Sequence, residues 1–208
     1  NEDLNYEIGP EYETIHYVFT PEASYENLKV ALFLGNINDD PESLVTVESI
    51  DLTVADDQNI LQNSTFEDDS AWAFEFNETA EGTMSVADNT LIADVTNVGE
   101  AWWHIQLAQE SVSIQEGESY LVSFRASSTE QRRIGLGIED PADGFRNLKS
   151  DDPVEWDLTD EMTTYTFVFD SQDTLDTAKF AIFLVSSRAR SAAGTIEVKD
   201  FFVVQLVE

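Results

Sequence analysis

The chain has 208 residues, with 42 Asp or Glu against 10 Lys or Arg and a formal net charge of -32 at pH 7. That balance excludes a nucleic-acid binder tracking phosphates through a basic stripe, and it gives no attraction to an anionic membrane surface. With 42% hydrophobic and 11% aromatic residues the chain can bury a core, and without Cys it has neither disulfides nor thiolate chemistry.

In chain order, strand signals dominate. Thr14–Phe19, Tyr120–Arg125, Thr164–Phe169 and Thr195–Lys199 alternate large apolar residues with small or polar ones, the period of a half-buried strand. Turn-forming clusters lie between them at Asn38–Pro41, Gln115–Glu118 and Asp140–Gly144. No stretch sustains a helical period, so the predicted fold is all-β, an antiparallel β-sandwich. No apolar run approaches the roughly 20 residues of a membrane span, so no membrane insertion is expected. The carboxylates are spread evenly, which reads as a solvated coat suited to a saline, extracellular setting.

The sequence repeats itself at an offset of 150. Glu11, Thr14, Val18, Phe19, Lys29, Ala31, Phe33 and Leu34 fall on identical residues at Glu161, Thr164, Val168, Phe169, Lys179, Ala181, Phe183 and Leu184. Residues 59–208 therefore read as one complete module. Residues 1–55 read as the C-terminal part of a preceding β-rich copy, with 56–58 as the junction. A fragment of that length presents open sheet edges and needs completion. Completion in cis, in trans by self-association through residues 1–55, or packing on the full module all remain open at this level.

Motifs in the second module occur in a recognisable order: Asn59–Glu67 followed by Trp72, Trp102–Leu107, Glu116–Ala126, Tyr165 with Phe167 and Phe169, and Thr195–Phe202. In this order and spacing the module resembles the carbohydrate-binding modules of the family 4 and family 9 type, jelly-roll sandwiches appended to secreted polysaccharide-degrading enzymes. The resemblance implies a polysaccharide partner of β-glucan or xylan type, a secreted polypeptide, and a glycan held on a concave sheet with a contact at Gln106. It also implies a structural Ca²⁺ ion clamping the first and last strands, with Glu67, the Lys199 carbonyl and Asp200 as its ligands.

Sugars present hydroxyls around an apolar face, so a binding surface needs flat rings and planar hydrogen-bonding groups. Strict alternation along Trp102–Leu107 puts Trp103, Ile105 and Leu107 in the core and Trp102, His104 and Gln106 on a groove. Alternation along Arg133–Ile138 buries Ile134, Leu136 and Ile138, leaving Arg133 outside with Gly135 and Gly137 as a shallow trough. Arg125 faces away from Tyr120, Val122 and Phe124 by the same logic. The expected glycan contacts are thus Trp102, His104, Gln106, Arg125 and Arg133. Core packing for Trp102 and surface ion pairs for the arginines are the competing roles. With two His and no Cys, and no carboxylate pair set apart, no catalysis is expected. The alternative function is a structural one, jelly rolls exchanging strands in an extracellular filament or surface layer.

Overall fold

The computed structural model describes residues 59–149, 154–185 and 192–206, with short stretches at 10–12, 14–15, 17, 29–32 and 45–52. The expected preceding copy falls mostly outside the described residues, and the junction at 56–58 wholly so. The described residues form strands β1 (Ala73–Phe76), β2 (Glu81–Ala87), β3 (Thr90–Asn97), β4 (Ile105–Ile114), β5 (Ser119–Ser128) and β6 (Arg132–Asp140). They continue with β7 (Arg146–Asn147), β8 (Val154–Leu158), β9 (Thr163–Asp170), β10 (Leu175–Phe183) and β11 (Gly194–Leu206). Among the described residues no helix is long and apolar enough to cross a membrane.

The strands make two antiparallel sheets. A front sheet runs β1-β4-β10-β6-β7, with β8 also paired to β6, and a back sheet runs β2-β3-β11-β5-β9. Sequence neighbours are often not sheet neighbours, because the chain crosses between layers, as a jelly roll requires. Alternation explains the core. Ile105 and Leu107 of β4, Ile134, Leu136 and Ile138 of β6, and Phe180 and Ile182 of β10 point inward from the front sheet. They meet Val122 and Phe124 of β5 and Ile196, Val198, Phe201 and Val203 of β11.

The opening motif, Asn59–Glu67, forms no strand of its own. Asn59 bridges Val204 and the Ile60 N–H donates to the Val203 carbonyl at 2.8 Å, after which the chain turns repeatedly. Asn63, Phe66 and Ala71 have positive φ values of 47°, 51° and 66°, which breaks any extended run. The motif residues instead close one end of the sandwich. Phe66 packs tilted against Trp72 with centroids 5.1 Å apart and Trp72 stacks on Phe201 at 5.3 Å, while the Trp72 indole N–H donates to the Asn63 carbonyl at 2.9 Å.

Candidate glycan-binding groove

The outer face of the front sheet is shaped by the size of its side chains. Register places Ala73 opposite Ala108, Ala108 opposite Ala181, and Ala181 opposite Gly137, so a row of methyl groups ending in a hydrogen crosses four strands. Into this bed lies the ring of Phe183, which with Ala108 and Ala181 forms an apolar cluster separate from the main core. A Cβ on Gly137 would fall 2.5 Å from Phe183 Cε2, closer than packing permits. Trp102 packs against this ring in a T-shaped pair, with centroids 4.5 Å apart at 87°, the geometry favoured by ring quadrupoles. It remains 40% exposed and forms one wall of a groove that Gly135 and Gly137 also line.

The neighbouring expectations need correction, and the cause is local. Trp102–His104 is a 3₁₀ turn, and β4 begins only at Ile105, so alternation does not apply to these three residues. Trp103, expected in the core, is as exposed as Trp102 at 40%. His104, expected in the groove, is buried: its Nδ1 accepts from the Glu100 N–H at 3.3 Å. A Cβ on Gly99, where φ is +73°, would strike that nitrogen at 2.5 Å, so glycine is needed there on both counts. Gln106 is also buried and its amide is spent inside the protein. Nε2 donates to the Trp103 carbonyl at 2.7 Å and Oε1 accepts from Lys179 Nζ at 2.8 Å. Gln106 thus acts as a strut that ties the tryptophan turn to β10.

The opposite wall was not foreseen. After β6 the chain makes a 3₁₀ turn at Pro141–Asp143, capped by Asp140 accepting from the Ala142 N–H at 3.0 Å. Gly144 and Phe145 then take left-handed φ values of 63° and 61°, which lifts Phe145 out to 53% exposure. Arg146 moors this turn. Its guanidinium reaches Asp143 at 2.8 Å, Asp173 at 3.1 Å and Asp140 at 3.7 Å. Lys179 Nζ lies 5.3 Å from the Phe145 ring centroid, a cation–π contact. Glu139, Lys149 and Glu155 add charge to the groove lining. Burial raises the Glu139 pKa, an effect that Lys179 and Lys149 partly offset, and burial likewise lowers that of Lys149 against the pull of Glu139. Outward alternation on β10 (Lys179, Ala181, Phe183) was the signal available for this wall; Phe145, on a turn, had none.

The two arginines part company. Arg133 lies on the groove side of β6, one row beyond Gly135, but its guanidinium is paired in bidentate fashion with Asp157 at 2.7 and 2.6 Å. Those bonds lower the Asp157 pKa and raise that of Arg133. Arg125 is on β5 of the back sheet, away from the groove. Outward alternation was read correctly for it, but alternation does not say which sheet a strand joins.

Arg125 instead faces Asp200 at 3.5 Å, and this bears on calcium. Asp200 sits at φ 52° within the irregular register between Lys199 and Phe202, and the following Phe201 N–H donates to the Ser64 carbonyl at 2.9 Å. The loop carrying Glu67 and the bulge carrying Asp200 are therefore neighbours. Among the described residues no group of three or more His, Asp or Glu is placed so that it could hold a metal ion. A cation there would take most of its six to eight oxygens from backbone carbonyls and compete with Arg125.

Comparison with known proteins bears on the family and the fold. A family model described as a carbohydrate binding domain matches residues 58–188. A family 4 carbohydrate-binding module structure superposes with a TM-score of 0.61 at 22% identity, covering 70% of this chain and 99% of that one. The second N-terminal cellulose-binding domain of Cellulomonas fimi β-1,4-glucanase C gives 0.53 at 20% identity, over 73% and 97% of the two chains. The first N-terminal domain of that glucanase gives 0.53 at 19%, over 69% and 95%. At these identities the structures attest the fold. A search of curated protein sequences found no match.

Proposed function

Because the chain belongs to the carbohydrate-binding domain family, we propose that the front-sheet groove holds a polysaccharide of β-glucan or xylan type without catalysis, as one module of a larger secreted protein. One observation carries the reading. Trp102 packs at 87° against the buried Phe183 ring, stays 40% exposed and lines the groove together with the glycine floor. A sugar's apolar face can stack there while its hydroxyls reach the polar groups opposite. Phe145 supplies a second ring across the groove.

Affinity electrophoresis against laminarin, mixed-linkage glucan and xylan tests this. The protein should be retarded by at least one, and Trp102→Ala should abolish the shift. Gly135→Ala is a cleaner variant, because its added methyl meets nothing closer than 3.8 Å in the protein. It should fold normally and still bind less, since it fills the floor. No retardation by any of the polymers would overturn the reading.

The calcium ion is a separate proposal, supported by the contact between the Glu67 loop and the Asp200 bulge. Chelator should lower the melting temperature by several degrees, and an unchanged melt would remove the ion from the account.

A second reading, self-association through residues 1–55, is favoured by the exposure of Val30, Leu32, Val47, Ile50 and Leu52, which ranges from 47% to 60%. Sedimentation velocity across a hundredfold concentration range should show growth of larger species that Val30→Asp with Leu32→Asp removes. A monomer throughout would discard it.

A further inference from the structure

A carboxylate stands where the groove can use it and the protein does not. Glu139 is 8% exposed and lies on the groove lining. Its carboxyl carbon is 3.4 Å from the point where a Cβ on Gly137 would stand, so the side chain leans back over the glycine floor beside Phe183. No donor among the described residues hydrogen-bonds either oxygen. Carboxylates this deeply set are ordinarily satisfied, because a poorly solvated and unbonded charge is costly. The cost is only partly met by charge. Two of the chain's four lysines, Lys179 on β10 and Lys149 beyond β7, face Glu139. Lys179 nevertheless gives its hydrogen bond to Gln106 and comes no closer than 4.0 Å to Glu110 of β4, while Lys149 turns its ammonium to Asn147 at 3.4 Å. Glu155 of β8 lines the same groove.

We propose that Glu139 determines which glycans the groove accepts, its two oxygens taking the donated hydrogen bonds of a pair of adjacent hydroxyls on an uncharged sugar and repelling sugars that carry an acidic group. The inference rests on the glycan-binding reading above and sharpens it. Hydroxyl pairs supply the two donors the protein withholds, and bonds to an ionised acceptor are about twice as strong as neutral ones. The lysines keep the carboxylate ionised without consuming its lone pairs. A uronate or sulfate ester brought to the same place would meet Glu139 and Glu155 within a protein of net charge -32, and repulsion would offset its hydrogen bonds.

The sign of the stability effect separates this role from a structural one. Burial raises the Glu139 pKa, so in the window between the ordinary carboxylate pKa and the raised one the folded state binds more protons than the unfolded state. Stability from this group therefore falls as pH rises through the raised pKa, and the ionised side chain costs stability at neutral pH. Glu139→Gln should melt higher than the parent at pH 7 and yet bind worse. A residue kept for packing would lose both together.

The test is isothermal titration of the whole chain with laminarin, mixed-linkage glucan, xylan and polygalacturonate, across pH, beside melting curves. The parent should bind a neutral polymer, ignore polygalacturonate, and weaken as pH falls through the Glu139 pKa. Glu139→Gln should bind about ten-fold or more weakly at pH 7, flatten the pH profile and melt at least as high as the parent. Glu139→Asp, which keeps the charge and shortens the arm, should retain the pH dependence. Parent-like binding by Glu139→Gln, or a parent that prefers polygalacturonate, overturns the inference and leaves glycan binding standing. Failure of the parent on every polymer overturns both.

Discussion

Two stretches of the molecule share a pattern and differ in fate. Lys29-Val30-Ala31-Leu32-Phe33-Leu34 and Lys179-Phe180-Ala181-Ile182-Phe183-Leu184 lie 150 residues apart and share four identities, at Lys179, Ala181, Phe183 and Leu184. In the second, Phe180 and Ile182 are wholly buried because β10 runs between β4 and β6 in the middle of the front sheet. In the first, Val30 and Leu32 are 52% and 56% exposed. Alternation names a face; burial needs a second sheet to lay against it. The identities teach something further. Of the inward positions, Val30 and Leu32 match Phe180 and Ile182 only in apolar character, whereas Leu34 and Leu184 are identical. Outward positions, Lys179, Ala181 and Phe183, recur unchanged as Lys29, Ala31 and Phe33. On β10 these are the strut partner, the bed and the ring against which Trp102 packs, where one methyl more or a shorter amine would not serve.

The comparison can be pressed by matched substitutions. The largest difference should come from Phe180→Ala, a loss of about 3 to 5 kcal/mol in denaturant unfolding, whereas Val30→Ala should stay within about 0.5 kcal/mol. An equal loss at Val30 would mean that this segment is covered in solution and would break the contrast. Next comes Ala181→Val, which crowds the bed beneath Phe183. It should cost about 1 to 3 kcal/mol and weaken glycan retardation through Trp102, while Ala31→Val leaves both unchanged. Smallest in stability but sharpest in function is Lys179→Ala. It removes the Gln106 hydrogen bond, the contact with Phe145 and a cation facing Glu139. Titration should show several-fold weaker binding, with Lys29→Ala silent.

Much of the fold was legible because alternation and turn chemistry agree along β5, β6, β9 and β11. The inward Ile134, Leu136 and Ile138 and the outward Gly135 and Gly137 lie where that pattern puts them. The site was read less well. Period two was extended three residues too far, through a 3₁₀ turn, which exchanged the expected places of Trp103 and His104. Arg125 was given to the groove because strand polarity is local information whereas sheet membership follows from pairing between distant segments. Gln106 looked like a contact because an outward amide suits a sugar, and nothing local reveals that both its ends are taken by Trp103 and Lys179. Phe145 owes its position to left-handed backbone and to an arginine moored across two loops.

That mooring differs in kind from the one opposite. The Trp102 side is held by Gln106 and Lys179, both buried, where dissolved ions penetrate little. The Phe145 ring also touches Lys179, but the turn that carries it is moored by Arg146, whose side chain is 43% exposed among its carboxylates, and such pairs slacken as the Debye length shrinks. One jaw is therefore fixed and the other answers to ionic strength, so brine should loosen the grip on a glycan well before it disturbs the melt.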